Sequence, residues 1–283
     1  GISSKGELAV LLRRRESAAR TLAIIPTSGG APREVVEDVE EADWSPDGAS
    51  LAVLRWTGGG LVRLEFPAGR ELYTAAQLKN IRVSPGGDRL AFTEHPVFGD
   101  NRGDVAIIDL GGRKTTLSRG WTDLGTLAWS KDGREVLFSA TRRGTEHSVH
   151  AVDLAGRERL VYVMPGSVDV ADISADGRVL LSVRQGQPRI LGRSRGDAWD
   201  RDLSWLDYSI VQFLSGDGRT LLFDEQGLGG GPGYSAYVRG MDGSPPVRLG
   251  SGTGQALSPD GRHLVLERVQ QHSDVVMLDL AGR

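Results

Sequence analysis

The sequence predicts an all-β chain, a seven-bladed β-propeller of four-stranded antiparallel blades, on three observations. The stretch Trp44-Ser45-Pro46-Asp47-Gly48 returns as Val83-Ser84-Pro85-Gly86-Gly87, Trp129-Ser130-Lys131-Asp132-Gly133, Ile173-Ser174-Ala175-Asp176-Gly177, Leu214-Ser215-Gly216-Asp217-Gly218 and Leu257-Ser258-Pro259-Asp260-Gly261, with a degraded first copy at Ile2-Ser3-Ser4-Lys5-Gly6. Its serines, at 3, 45, 84, 130, 174, 215 and 258, lie 42, 39, 46, 44, 41 and 43 residues apart, the period of a four-stranded blade. Apolar runs follow the motif, among them Leu51-Ala52-Val53-Leu54, Val136-Leu137-Phe138 and Leu221-Leu222-Phe223. They read as strands buried on both faces.

The motif itself is a tight reversal between the first and second strands of a blade. Ser or Asp bonds back to turn amides, Pro presets φ and Gly supplies positive φ. A second mark falls between third and fourth strands: Asp109-Leu110-Gly111-Gly112-Arg113, Asp153-Leu154-Ala155-Gly156-Arg157 and Asp279-Leu280-Ala281-Gly282-Arg283. Two hairpin marks at fixed phase divide the chain into repeats near 1–40, 41–77, 78–123, 124–168, 169–208, 209–252 and 253–283, one propeller domain in all.

In the first repeat Glu7 to Arg14, Thr21 to Pro26 and Arg33 to Val39 read as strands, with the inner strand barely present. The second is regular: Glu41 to Ser45, Ser50 to Trp56, Leu61 to Phe66 and Glu71 to Thr74. Repeat three has a long connection, Glu94 to Asp104. Repeat five departs most, with a charged, Trp-bearing excursion between Val183 and Trp205, and repeat six carries the glycine-rich connection Gly227 to Gly233. Repeat seven stops after a third strand, Ser273 to Leu280. Either blade seven has three strands or the sequence is a portion of a longer chain. A six-bladed ring with an irregular N-terminal portion is the alternative.

Composition narrows the function classes. A net charge of −3 supplies no basic field for nucleic acid, so none is expected as a partner. With no cysteine there is no disulfide, thiolate nucleophile or Cys-ligated metal. That fits a cytosolic protein and equally a bacterial periplasmic one with a large core. No stretch approaches the roughly 18 apolar residues of a membrane span, and no signal peptide is visible, so this segment is expected not to insert into a membrane.

The repeat (Trp/Ile/Leu)-Ser-x-Asp-Gly-x-x-Leu-x-(Phe/Val) resembles the PD40, or TolB-like, β-propeller repeat over nearly the whole chain. The segments Ala31-Pro32-Arg33-Glu34-Val35-Val36-Glu37-Asp38-Val39 and Ala42-Asp43-Trp44-Ser45-Pro46-Asp47-Gly48 look similar to the C-terminal propellers of bacterial serine/threonine protein kinases. That resemblance implies a sensor or protein-interaction module, outside the cytoplasm in a receptor-type kinase. Other members of the repeat family sit in a periplasmic Tol-system protein or gate substrate for a serine peptidase. Gly86 departs from the pattern where Asp is usual.

No catalytic signature stands out. Gly233-Tyr234-Ser235-Ala236-Tyr237 has a serine but lacks the second glycine of a hydrolase elbow, and the kinase His-Arg-Asp and Asp-Phe-Gly marks are absent. Gly227-Leu228-Gly229-Gly230-Gly231 is not followed by a helical pattern, so a connection is expected, not a phosphate loop. Of the histidines, His147 and His150 would point to opposite faces of a strand, and neither they nor His95, His263 and His272 show metal-ligand spacing. No cofactor and no metal are expected.

Two groups remain as candidate binding residues. Asp43, Arg82 and Asp172 precede the motif on inner strands, where other repeats carry Ala128 and Ala256; they read as a polar-ligand site or as self-paired channel charges. Long connections bring Phe98 and Arg102, then Arg189, Arg193, Arg195 and Trp199, then Tyr234 to the rim, with the Arg and aromatic chemistry of interface hot spots. The expected function is a non-enzymatic scaffold for a protein or a small polar ligand. The alternatives are an enzyme, lyase or hydrolase, with its site in the channel and Asp43, Arg82 and Asp172 gathered around a histidine, and the peptidase-gating propeller.

Overall fold

The computed structural model describes residues 1–13, 20–96, 98–174, 176–184, 186, 188–194, 196–231, 233–258, 263–269 and 273–279. Among them there is no helix, and every strand pairing is antiparallel. They form two compact units, Gly1–Ala140 with Glu146–Arg184, and Thr141–Thr145 with Gln185–Arg283.

The first unit opens with β1 (Glu7–Arg13), β2 (Arg20–Pro26) and β3 (Arg33–Val36), whose inner position is held by a single bridge from Ile2 to Leu8. The strand expected over Arg33 to Val39 ends at Val36, because Asp38 takes a left-handed φ of 61° and turns the chain into the next sheet. Three complete blades follow. They are β4 (Val39–Trp44), β5 (Leu51–Thr57), β6 (Leu61–Glu65) and β7 (Glu71–Ala75); β8 (Gln77–Val83), β9 (Arg89–His95), β10 (Gly103–Asp109) and β11 (Lys114–Trp121); then β12 (Asp123–Trp129), β13 (Glu135–Thr141), β14 (Ser148–Asp153) and β15 (Glu158–Tyr162). A two-stranded sheet, β16 (Ser167–Ile173) and β17 (Val179–Arg184), ends the unit.

In the second unit β18 (Leu191–Gly192) pairs with β19 (Arg201–Asp202) alone. A complete blade comes next, β20 (Ser209–Leu214), β21 (Thr220–Glu225), β22 (Ser235–Gly240) and β23 (Val247–Ser251), then β24 (Thr253–Leu257), β25 (His263–Val269) and β26 (Ser273–Asp279). Repeat five is thus divided between two small sheets, the departure its sequence announces.

Period-two alternation explains why the second strands read as unbroken apolar runs. In β5, Leu51 and Val53 join a core with Leu22 and Val39, while Ala52 and Leu54 face the opposite core with Ile81 and Phe92. In β13, Val136 and Phe138 face Leu124 and Trp129 while Leu137 turns to Val168 and Val170. These two sheets are sandwiched, and each such buried Leu or Phe contributes about 1.5–3 kcal/mol.

In the first six copies the Gly amide three residues on donates back to the Ser carbonyl. In the second copy the Ser45 amide donates to Ser50 O (2.9 Å), Gly48 N donates to Ser45 O (2.8 Å), and the Ser45 hydroxyl donates to Asp47 Oδ1 (2.6 Å) while accepting from Ser50 N (2.9 Å). Ser130 and Ser215 repeat the hydroxyl-to-Asp bond at 2.7 and 2.6 Å. The first copy closes one residue earlier, Ser3 N donating to Glu7 O (2.8 Å), and keeps the Gly6 N to Ser3 O bond (3.1 Å). Where Gly86 replaces the usual acid, Asp88 two residues later accepts the Ser84 hydroxyl (2.9 Å).

Successive turns nest. A Cβ on Gly48, where φ is +63°, would stand 2.8 Å from Ser4 Oγ of the preceding turn; Gly87 lies over Pro46, Gly133 over Pro85 and Gly177 over Lys131. Polar side chains also cross between neighbouring inner strands. Asp43 Oδ2 accepts Val83 N–H (2.8 Å), Asn80 Nδ2 donates to Gly125 O (2.9 Å), and Thr126 Oγ1 donates to Val170 O (2.5 Å). In the second unit Asp224 Oδ1 accepts Gly254 N–H (2.8 Å).

Replacing Gly48 by Ala is expected to lower the unfolding free energy by about 1–3 kcal/mol, through positive φ and the clash with Ser4. Ser45→Ala is expected to lower it by about 1 kcal/mol. Urea unfolding followed by circular dichroism checks both, as a fall in midpoint without a change in slope.

Candidate functional site

In each meander the Ser turns and the Asp-Gly turns lie at one end of the strands, and the second-to-third connections at the other. That other end of the first unit holds the densest set of buried ionisable groups in blades three to five. The connection after β9 is tied down at Gly99, Asn101 and Arg102. His95, 1% exposed, donates from Nδ1 to Arg102 O (2.9 Å), which leaves Nε2, 3.0 Å from Thr93 Oγ1, as the unprotonated nitrogen. Burial first, then the charge of Lys79, pushes the His95 pKa down to about 4, so the ring is neutral.

Further along, Gly99 N donates to Gln77 Oε1 (2.9 Å), Arg102 Nε donates to Asp100 Oδ2 (2.7 Å), and Leu124 N of the next blade donates to Asn101 O (3.0 Å). These clamps leave Phe98 at the tip, 59% exposed, its ring 5.0 Å from that of Trp56.

Beside this loop a buried histidine bridges two blades. His147, ahead of β14, places Nδ1 2.8 Å from Asp169 Oδ1 of β16 and Nε2 3.1 Å from Asp123 Oδ1 of β12. The Asp169 contact is an aligned hydrogen bond; the Asp123 contact lies off the hydrogen-bond direction and acts as an ion pair. Burial alone would lower the His147 pKa, but the two carboxylates outweigh it and raise it to about 9. Burial likewise works against ionised Asp169, yet His147 and Arg184, the latter 3.2 Å away, hold its carboxyl below the ordinary value. A Cβ on Gly125 would fall 2.5 Å from Asp169 Oδ1, so the pair needs a residue without a side chain there. An imidazolium fixed between two acids keeps its proton at neutral pH. It is a strut between blades and not a general base.

The residues singled out from sequence fall into separate places. Asp43 accepts the Val83 amide, and burial raises its pKa against the pull of that bond and of Arg82. Arg82 turns back to its neighbour's carbonyl, Ile81 O (2.8 Å), and exposed Asp172 accepts its own Ile173 amide (2.8 Å). Among the described residues none of these bonds brings a histidine to them, which is the gathering a channel-sited enzyme was expected to show. Phe98 and Arg102 share the clamped loop. Arg189 pairs with Asp202 (3.4 Å) and Arg193 with Asp200 (2.8 Å) along the β18–β19 arm, which Ile190 and Leu203 anchor in a core with Phe223 and Tyr237. Trp199, on the same arm, is 82% exposed. Tyr234 is half-buried and accepts Gly252 N–H (2.8 Å) at its carbonyl, and Arg195 lies outside the described residues, as does His272. Sequence reasoning missed the strut. Its three members are far apart in the chain, and only the acids at the start of successive inner strands hinted at it. Among the described residues no group of three or more His, Asp or Glu side chains is arranged to hold a metal ion.

No family model matches the sequence, and no curated protein matches it. Among solved structures the chain is similar to TolB from Acinetobacter baumannii, with a TM-score of 0.50 and 15% identity over 98% of this chain and 62% of that one. It is also similar to the putative TolB from Agrobacterium tumefaciens (TM-score 0.40, 17% identity, 89% of this chain and 82% of that one). A further similar structure is the β-propeller domain of the Trilobed protease from Pyrococcus furiosus (TM-score 0.46, 12% identity, 98% and 92%). The likeness at 15% identity is one of fold: the chain is a β-propeller similar in fold to TolB, and it spans 62% of the length of the Acinetobacter protein.

The two histidines bracket the pH range of stability. His95, depressed to about 4, contributes stability that is present above pH 6.5 and lost as pH falls from 6.5 towards 4. His147, raised to about 9, contributes stability that is full below pH 6.5 and lost as pH rises through 9. Each limb is worth on the order of 3 kcal/mol. Melting temperature measured from pH 4 to 10 is expected to lose its alkaline fall in His147→Gln and part of its acid fall in His95→Asn. Parallel curves for variants and parent would contradict both assignments.

Proposed function

We propose that the chain is a non-enzymatic propeller scaffold that binds a protein partner or senses a ligand, as one portion of a larger bacterial protein such as a receptor-type kinase. The observation that carries this reading is the loop from His95 to Gly103. A flexible loop loses side-chain and backbone freedom on binding, whereas this one is already clamped by Gln77, Asp100, His95 and Leu124. Its exposed Phe98 beside Trp56 is the anchor such a surface needs. The proton of His147 is locked between two carboxylates, which favours a structural role for the buried charges beneath the loop.

Affinity capture followed by quantitative mass spectrometry, with the parent chain and Phe98→Ala as baits, tests the reading. Phe98 packs only at the surface, so the variant is expected to melt within about 1 kcal/mol of the parent. At least one partner is expected to fall ten-fold or more in the variant. Identical capture profiles would remove the loop from the reading, and a hydrolase domain encoded beside this segment would overturn the kinase assignment.

A further inference from the structure

The second unit contains a buried carboxylate that its surroundings do not complete. Glu225, the last residue of β21, is 0% exposed. Its Oε1 accepts the hydroxyl of Ser209 and, at 3.5 Å, the amide of Leu206; its Oε2 is buried and has no hydrogen-bond partner. Burial pushes its pKa up, and the nearby charge of Asp207 pushes it further. Neither acid has an ion-pair partner among the described residues. A buried carboxylate oxygen without a partner is costly, and it is relieved either by protonation or by a cation.

The glycine-rich connection supplies the neighbouring backbone. Leu228 N–H is shared by both oxygens of Asp207 (3.0 and 3.2 Å), so the loop amide that could have met a phosphate already holds the protein's own carboxylate. The backbone at Gly229 lies directly on the Glu225 stem, where a Cβ would stand 2.9 Å from Glu225 Cβ. The Gly229 and Gly230 carbonyls are steadied by the Tyr237 hydroxyl (2.9 Å) and the Ser235 hydroxyl (3.0 Å). Each carbonyl oxygen retains a second lone pair. Two carboxylates, loop carbonyls and no thiol or imidazole make an oxygen-only donor set, which suits a hard cation with flexible coordination and does not suit zinc or copper.

We propose that Glu225 and Asp207, with the backbone of the Gly227–Gly231 turn, bind a divalent cation of the calcium class. Only two carboxylates take part, and carbonyls and water complete the shell. Binding turns the unpaired Glu225 oxygen into a ligand. The inference stands apart from the Phe98 surface, which belongs to the other unit.

Terbium luminescence provides the test, because the Tyr237 hydroxyl bonds to the Gly229 carbonyl (2.9 Å), which puts a sensitising ring beside the site. The parent chain, excited near the aromatic band, is expected to give sensitised emission that calcium displaces, and millimolar calcium is expected to raise its melting temperature. Glu225→Gln and Asp207→Asn each remove a repelling charge, so both should fold without added metal, and each is expected to weaken terbium binding at least ten-fold. Absence of emission in the parent, equal binding by the parent and both variants, or displacement by magnesium and not by calcium would each overturn the assignment.

Discussion

The inner strand of every blade is an edge, and the side chains that reach across it from the neighbouring blade are the constraint on which the rest depends. Inner strands β4, β8, β16, β20 and β24 all carry a register irregularity, which frees backbone groups from their own ladder. An unsatisfied buried amide or carbonyl costs about 1–3 kcal/mol. Asp43, Asn80, Thr126 and Asp224 supply the missing partners from the adjacent sheet. The same bonds fix the angular step from one blade to the next, since a carboxylate that accepts a particular amide allows only a narrow range of sheet positions. The apolar cores between sheets provide the larger free energy, but they are non-directional. The polar crossings give the stack its geometry.

That division explains what could be read in advance. The turns were legible because Ser, Asp and Gly act locally: the geometry at Ser45, Ser130 and Ser215 follows from residues within five positions. Even the altered third copy is locally solved, by Asp88 in place of the acid missing at Gly86. The double-faced strands were legible from their unbroken apolar runs. The crossings were not, because Asn80 and Gly125 meet only after two sheets stack. The charge at Asp43 was noticed for the right reason, an acid on an inner strand, but its partner is a backbone amide and not a ligand. The strut of Asp123, His147 and Asp169 draws on two inner strands and a connection of two blades, and no local pattern encodes it.

The two histidines show how one end of a blade stack can hold opposite charge states a short distance apart. His95 meets a carbonyl and a hydroxyl, with Lys79 near, and stays neutral. His147 meets two acids and stays charged. Both choices are made by second-to-third connections, which vary in length from repeat to repeat. The connection that His95 steadies is also the one that carries Phe98 outward, so the buried ring and the exposed ring are parts of one device.

The nesting of Gly87 over Pro46, Gly133 over Pro85 and Gly177 over Lys131 has a bearing on how such a chain can change. A hairpin whose glycine rests on the previous hairpin has no slack, and an inserted residue there would lift every later one off its support. Connections at the opposite rim already range from the three residues between Thr57 and Leu61 to the nine between Glu225 and Ser235. Novelty, whether by natural drift or by grafting a foreign peptide, therefore has one admissible address on these blades, and the hairpin floor is the frame that must be left untouched.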